Sequence, residues 1–419
     1  MSDGPAPEVP QPAEAPDLAV ASDRDGPSLP TQGPTSGLDD TGVGTAAAED
    51  GDAQPERPEA TAPAAAHGVG GAGAAMRAMG VSFGFNLAKI AGQGEDSDPI
   101  LRHGRELGLV AVFDGMGGAG GTVYDTPDGP RTGAYLASRV ARDVVEQRMV
   151  TLLDPEWNLD GAATAHDLQG AVRQALQASL AGLKAPTSGL RSRLLRALPT
   201  TMALVALQRR EPGGDRWACH VLWAGDSRTS VFSPEAGAQQ LTRDDIRVQG
   251  DAMANLREDS VVSNAMSADT DFVVHHEKVD VTAPFLVVAA TDGCFGFVPS
   301  PMHFEHLVLS ALRDAPDTAS WSRAVQAAIS AVTGDDAAMA VLGVGADHET
   351  FRTLFAARTA ELEQRWIAPL DALDADLRQR EWELEQARHA RREQQARLWA
   401  AYKPDYERHL APPARQEMA

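Results

Sequence analysis

The chain has 419 residues, enough for one large domain with extensions or for two domains. Its net charge of −22 argues against nucleic acid or an anionic membrane as partner, since both select basic patches. Two cysteines, Cys219 and Cys294, are too few for a disulfide framework, and each lies in an apolar run, as a core thiol in a reducing compartment does.

Residues 1–75 are dominated by Pro, Ala, Gly, Ser, Thr and Asp, with Arg24 and Arg57 as the basic side chains and no aromatic. Such a segment cannot bury enough apolar surface to offset the ~1–2 kcal/mol per residue of backbone ordering, so it reads as a disordered acidic tail. The opening MSDGPAPEVP has neither a charged start nor an apolar stretch, and no run approaches the ~18 apolar residues of a membrane span. A cytoplasmic protein without membrane contact is expected.

Order is expected from Met79, with one large folded domain over 79–346. VSFGFNLAKI (81–90) alternates as a strand, and AGQGEDSDP then turns, leaving Glu95 and Asp96 in a loop. The apolar run Leu107–Phe113 reads as a buried strand delivering Asp114 at its end. The glycines that follow let the backbone turn, so that Asp114 and the Gly115 carbonyl face one point, an arrangement suited to a hard cation. Gly115, Gly117 and Gly120 also spell G-x-G-x-x-G, the dinucleotide fingerprint. Asp114 would set a negative charge beside the pyrophosphate, and TVYDTPDGP (122–130) consists of turn formers rather than a helix start, so that reading fails.

Two amphipathic helices are expected over 133–149 and 167–183, then the polar loop 185–193, and an apolar strand over 198–208. WACHVLWAGDSRTSVF (217–232) reads as a strand, a tight turn at Gly225-Asp226 and a return strand, and 241–271 as a polar surface flap. APFLVVAATDGCFGFV (283–298) repeats the pattern of a strand ending in Asp292-Gly293. Two helices follow, over 302–315 and 320–333, and a last strand begins at Asp335-Asp336. Strands in runs with helices in pairs predict layered sheets with helices packed outside.

Over 349–403 the chain is charged and helical. Trp366, Leu370, Leu373, Leu377 and Leu384 have coiled-coil-like spacing, interrupted by Arg380 and Arg391, so an antiparallel helical hairpin opened by Pro369 and ended by Pro404 fits better than a sustained coiled coil. Trp366, Trp382 and Trp399 are expected to dock on the domain or on a second subunit, and 404–419 forms a tail.

Each Asp-Gly alone is commonly just a turn. Glu95-Asp96, Asp114-Gly115, Asp292-Gly293 and Asp335-Asp336 together are different: acids gathered at strand ends repel one another unless cations neutralise them. Oxygen ligands without His or Cys favour Mg²⁺ or Mn²⁺ over zinc, and several carboxylates suggest a two-metal site with ions roughly 3.5–4 Å apart.

In order, F-D-G-M-G-G, A-G-D-S-R, T-D-G and D-D before a strand resemble the metal-dependent protein phosphatases of type 2C over about 81–345. The resemblance implies an α+β fold, a four-layer αββα sandwich of two antiparallel sheets flanked by helices. It implies that Asp114 bridges two Mn²⁺ or Mg²⁺ ions and that the Gly115 carbonyl binds one. Asp292 and Asp335 would bind the other, Asp336 being the alternative to Asp335, while Glu95 and Asp96 hold water at the metals. Asp226 would mark a third, weaker metal site; its competing reading is a β-turn residue. The implied activity is hydrolysis of phosphoserine and phosphothreonine in proteins, opposite a cognate Ser/Thr kinase. The sequence departs from the family in two places. Met116 stands where animal and plant members carry a His proposed as general acid, as it does in many bacterial members. Ala91 stands where the phosphate-binding Arg belongs; Lys89 is the nearest substitute, with Arg102 and Arg131 as others. A catalytically silent fold that binds a partner is the alternative.

Overall fold

The computed structural model describes residues 79–152, 159–183, 196–248, 250–257 and 260–411. The acidic segment 1–75 and the loop 185–193 lie outside the described residues.

Strand β1 (Met79–Leu87) is followed by β2 (Ile100–His103) and β3 (Leu107–Val112), and a single turn of helix, α1 (Gly117–Gly120), follows Asp114. The turn formers expected at 122–130 instead build a small hairpin, β4 (Val123–Thr126) with β5 (Gly129–Thr132), closed at Thr126-Gly129. Helices α2 (Gly133–Leu152) and α3 (Gly161–Gly182) come next, α3 starting six residues earlier than its apolar spacing suggests because Asp160 caps the Ala163 N–H. Strands β6 (Met202–Arg209), β7 (Arg216–Ala224), β8 (Arg228–Ser233) and β9 (Gly237–Gln240) lead to the short helix α4 (Ala252–Arg257). Then come β10 (His275–Thr282), β11 (Phe285–Ala290), the turn α5 (Asp292–Phe295), helices α6 (Pro301–Asp314) and α7 (Thr318–Val332), and β12 (Ala337–Val344).

The strands form two five-stranded antiparallel sheets, β1-β12-β11-β8-β9 and β10-β7-β6-β3-β2. The expected strand–turn–strand at Gly225-Asp226 is therefore not a hairpin: β7 pairs with β6 and β10, while β8 crosses to the other sheet and pairs with β11 and β9. Gly225 takes φ +108°, a left-handed corner that side chains rarely adopt, and this sends the chain from one sheet to the other.

Alternation along β12 shows the layering. Ala338, Ala340, Leu342 and Val344 enter the core between the sheets with Val112, Val205 and Val287; Ala337, Met339 and Val341 face the opposite way, toward Leu309, Trp321 and Phe351 under the second helical layer. Across the other sheet, Leu109, Ala111 and Leu204 meet Val145, Leu168 and Val172 of α2 and α3. The order is helices, sheet, sheet, helices. The fold is α+β, with antiparallel sheets flanked by helices. The segment 241–271 is only in part a surface flap, since Ala265, Met266 and Ala268 are buried.

Register places one end of the sandwich. The end of β1 lies opposite the start of β12 (Leu87 with Ala337), the end of β11 opposite the start of β8 (Ala290 with Arg228), and the end of β3 next to the start of β6 (Val112 with Ala203). Every acid-bearing turn singled out in the sequence leaves the sheets near this end.

Beyond β12 the expected hairpin is absent. Helix α8 (His348–Glu361), a π-helical turn (Leu362–Ile367) and α9 (Ala368–Tyr406) follow one another with helical backbone angles at each junction. Pro369 has no N–H to give the preceding turn, and the widened π turn next to it takes up the break without reversing the chain. Pro404 does not end the helix, which runs two residues further. Phe351, Phe355 and Leu362 are buried in the second helical core, whereas Trp366, Trp382 and Trp399 remain 37%, 60% and 44% exposed. Phe351→Ala is therefore expected to cost about 3–5 kcal/mol of stability by denaturant titration. A chain ending at Ala368 should keep the melt of the sandwich; a loss there comparable to that of Phe351→Ala would show that α9 supports the domain.

Candidate metal centre

Asp114 leaves β3 with its backbone held on three sides. Its carbonyl accepts from Thr200 Oγ1 (2.6 Å) and the Thr201 N–H (2.9 Å), and its N–H donates to Thr201 Oγ1 (3.3 Å). Thr201 Oγ1 is in turn 2.7 Å from Ser227 Oγ, so the A-G-D-S-R turn braces the Asp114 turn. Asp292, at the start of α5, shares a hydrogen bond with the Asp114 carboxyl. Asp96 is 2% exposed; its Oδ2 accepts from Thr291 Oγ1 (2.8 Å) and its carboxyl from the Gly115 N–H. Thr291 Oγ1 also accepts from the Ala338 N–H (2.8 Å), tying the T-D-G turn to β12.

Desolvation and mutual repulsion hold these acids above the ordinary carboxylate range. Burial is the main cause at every one. It pushes Asp96 up to about 8, with Asp292 and Asp336 adding to it and the Thr291 hydroxyl opposing it. It pushes Asp226 up to about 7, with Asp292 adding to it. Asp114 is driven well up by burial and then by Asp292, Asp96 and Asp226, and Asp292 is raised by burial and then by Asp335. Glu95 is raised by burial, against the hydrogen bond that Thr132 Oγ1 donates to its Oε1 (2.5 Å). A Cβ on Gly117 would run into Glu95 Oε2, so the glycine leaves room for that carboxylate.

Two openings meet here. A cavity of about 430 Å³ is lined by Asp226, Arg228, Asp244, Asp292, Phe295 and Asp335. A cleft of about 570 Å³ is lined by Lys89, Glu95, Val123, Arg131, Asp335 and Asp336 among others. Asp335 faces both; Asp114 lines neither. The paired acids divide their work: Asp336 Oδ1 accepts from the Lys89 N–H (2.8 Å) and Oδ2 from the Glu95 N–H (2.6 Å), tying down the loop that carries Glu95. Lys89 and Arg131 stand in the second cleft, and Arg131 Nη1 donates to the Gly92 carbonyl (2.9 Å), one residue from Ala91. Arg102 is elsewhere, paired with Glu146 at 2.5 Å in a separate cleft. Arg228 is committed to Asp244 through two hydrogen bonds of 3.0 and 2.6 Å.

The donor set suits hard cations: oxygen ligands, crowded and raising one another's pKa, with the Asp114 and Asp292 carboxyls side by side. Among the described residues no three His, Cys, Asp or Glu side chains form a group that holds a metal unaided, so carbonyls and water must complete any shell. Thr200, Thr201, Ser227, Thr291 and Thr132 were not singled out in the sequence. For Ser227 and Thr291 the available signal was a hydroxyl directly beside an acid at a strand end; Thr200 and Thr201 only precede an apolar strand, and Thr132 carried no such signal.

No protein-family profile matches the chain, and no curated protein matches it. Its fold is similar to solved structures of serine/threonine phosphatases. The catalytic domain of PstP in complex with two manganese ions is 18% identical, covering 63% of this chain and 98% of that one at a TM-score of 0.42. The Mycobacterium tuberculosis phosphatase PstP/Ppp is 19% identical, with the same coverage and TM-score. The PPM Ser-Thr phosphatase MsPP from Mycobacterium smegmatis, in complex with cacodylate, is 17% identical over 64% of this chain and 100% of that one, at a TM-score of 0.40. At this identity and TM-score the likeness carries nothing about activity, which must be read from this chain's own residues.

The raised Asp226 gives a test without metal. An unfolded Asp titrates near 3.9, so the contribution to stability is fully present below about 3.9, falls as pH rises between there and about 7, and is lost above it. In chelator, Asp226→Asn should melt higher than the parent at about pH 8, with the gain shrinking as pH falls below about 7 and reaching zero only below about pH 4. A difference independent of pH would show that the Asp226 carboxyl is not held up by burial.

Proposed function

We propose that the chain is a metal-dependent serine/threonine protein phosphatase with a binuclear Mn²⁺ or Mg²⁺ site. The observation that supports this best is the meeting of acids from four separate turns at one end of the sandwich, protonated or repelling without a cation. Asp114 with the Gly115 carbonyl would hold one ion and Asp292 with Asp335 the other, carbonyls and water completing each shell. Asp226, at the cavity wall, is the candidate for a third, weaker site. Asp336 is assigned to the loop rather than to a metal, because both its oxygens already accept backbone N–H groups. When bound, such ions supply Lewis acidity toward a phosphoryl oxygen and lower the pKa of water.

This chain's residues do the positioning, which phosphoryl transfer chiefly requires. Glu95 and Asp96 would orient water, Glu95 held by Thr132 and Asp96 by Thr291. Lys89 and Arg131 offer positive charge at the second cleft, where a phosphorylated side chain would enter. Met116 cannot give a proton to the leaving alkoxide, so water is assigned that task. Phosphorylated proteins are the proposed substrates, a Ser/Thr kinase the proposed counterpart and the cytoplasm the proposed site. Among the described residues no helix is long and apolar enough to cross a membrane.

The second reading, a silent fold that binds a partner, is favoured by Ala91 and by the lack of a three-side-chain metal group. Hydrolysis of p-nitrophenyl phosphate and of phosphothreonine peptides decides between them. Turnover should require Mn²⁺ or Mg²⁺, and Asp114→Asn should lose nearly the whole metal-dependent rate. Asp292→Asn should be partly restored by excess Mn²⁺. No turnover by the parent chain would favour the silent fold; turnover in chelator would end the two-metal reading. Met116→Ala, with folding intact, should change turnover by less than the ~10²–10⁴-fold seen when a positioned acid is lost.

A further inference from the structure

Helix α9 is the part of the chain that the sandwich does not explain. Its 39 residues make a rod of roughly 58 Å at ~1.5 Å per residue, and none of them is buried. Leu373, Leu377, Leu384 and Leu398 are 62%, 56%, 51% and 61% exposed. Leu370, Leu377, Leu384 and Leu398 lie on one seven-residue repeat, with Leu373, Ala387 and Ala401 on the complementary positions of the same seam. That is the pattern of a helix that pairs with another helix.

Charge points to the partner. Residues 368–385 carry six acids and two bases, whereas 386–403 carry five bases and one acid. Ion pairs within the helix, such as Arg380 with Asp376 and Arg388 with Glu385, join near neighbours and account for neither this segregation nor the leucines. A parallel pair of copies would lay acid along acid, base along base, and Arg391 against Arg391. An antiparallel pair lays the acidic half of each copy along the basic half of the other, and brings Glu381 near the partner copy's basic half around Arg388. Arg380 and Arg391, which break the seam, are long enough to carry their charge to its rim.

We propose that α9 is a self-association helix, through which two copies of this chain pair antiparallel along the leucine seam. The proposal is independent of the function argued above, since it uses no residue of the acid cluster.

Sedimentation equilibrium of the full chain tests it. At micromolar concentration the expected mass is that of two chains, falling to one chain in Leu377→Glu/Leu384→Glu with the melt of the sandwich retained. Arg388→Glu/Arg397→Glu should weaken the dimer at least tenfold and regain affinity when mixed with Asp374→Arg/Glu381→Arg. For direction, Asp374→Cys mixed with Gln395→Cys should form the mixed disulfide under mild oxidation; Cys219 and Cys294 are buried and do not compete. A parent chain that sediments as a monomer, or a dimer that survives Leu377→Glu/Leu384→Glu, overturns the proposal. Predominant disulfide between two Asp374→Cys copies overturns the antiparallel arrangement.

Discussion

Carboxylates that repel one another are held together at one end of a β-sandwich, and the rest of the structure is arranged around that cost. Asp114, Asp292, Asp96 and Asp226 arrive from four turns, and each is pushed above its ordinary range first by burial and further by a neighbouring acid, which for Asp292 is Asp335. Nothing in the side chains alone would keep them there. What does is backbone: the turns leave strands whose register brings their ends level, and strand pairing is cooperative across ten strands. Thr200, Thr201 and Thr291 then add hydroxyls that lock the turns to one another, so the acids cannot relax apart. A centre strained by its own charge has a built-in affinity for cations, because the ion removes a penalty as well as making a bond.

The same requirement explains the bracing around Glu95. Its loop has no strand of its own, so Asp336 holds its backbone, Thr132 its carboxylate, and Arg139 the carbonyls of Gly94, Glu95 and Asp96. One of two adjacent acids thus serves the loop while Asp335 faces the openings. Arg131 reaches the same loop from the β4–β5 hairpin, placing a guanidinium beside the position where Ala91 offers none.

The C-terminal helices divide by burial. α8 belongs to the sandwich, since Phe351 and Phe355 complete the core against α6 and α7. α9 does not, and its apolar positions must be satisfied elsewhere or left wet. The π turn at the junction marks where one regime gives way to the other.

Apolar periodicity and composition by themselves determined most strands and helices, the helical character of the C-terminus, and the acid-bearing turns that the fold brings to one end of the sandwich. They could do so because a strand buried on both faces, such as Val110 and Val112 in β3, must be continuously apolar, and because an Asp-Gly after it must turn. Only the tertiary structure decided which strands share a sheet. β7 and β8 are adjacent in sequence and look like a hairpin, yet Gly225 turns the chain into the second sheet, and local pattern does not distinguish the two outcomes. It also decided which of Asp335 and Asp336 holds the Glu95 loop, since that depends on distant N–H groups of Lys89 and Glu95. The reach of Arg131, the hydroxyl braces and the unbroken run from α8 to α9 were likewise beyond pattern reading, because each rests on partners far apart in the chain or on backbone angles that no residue type dictates.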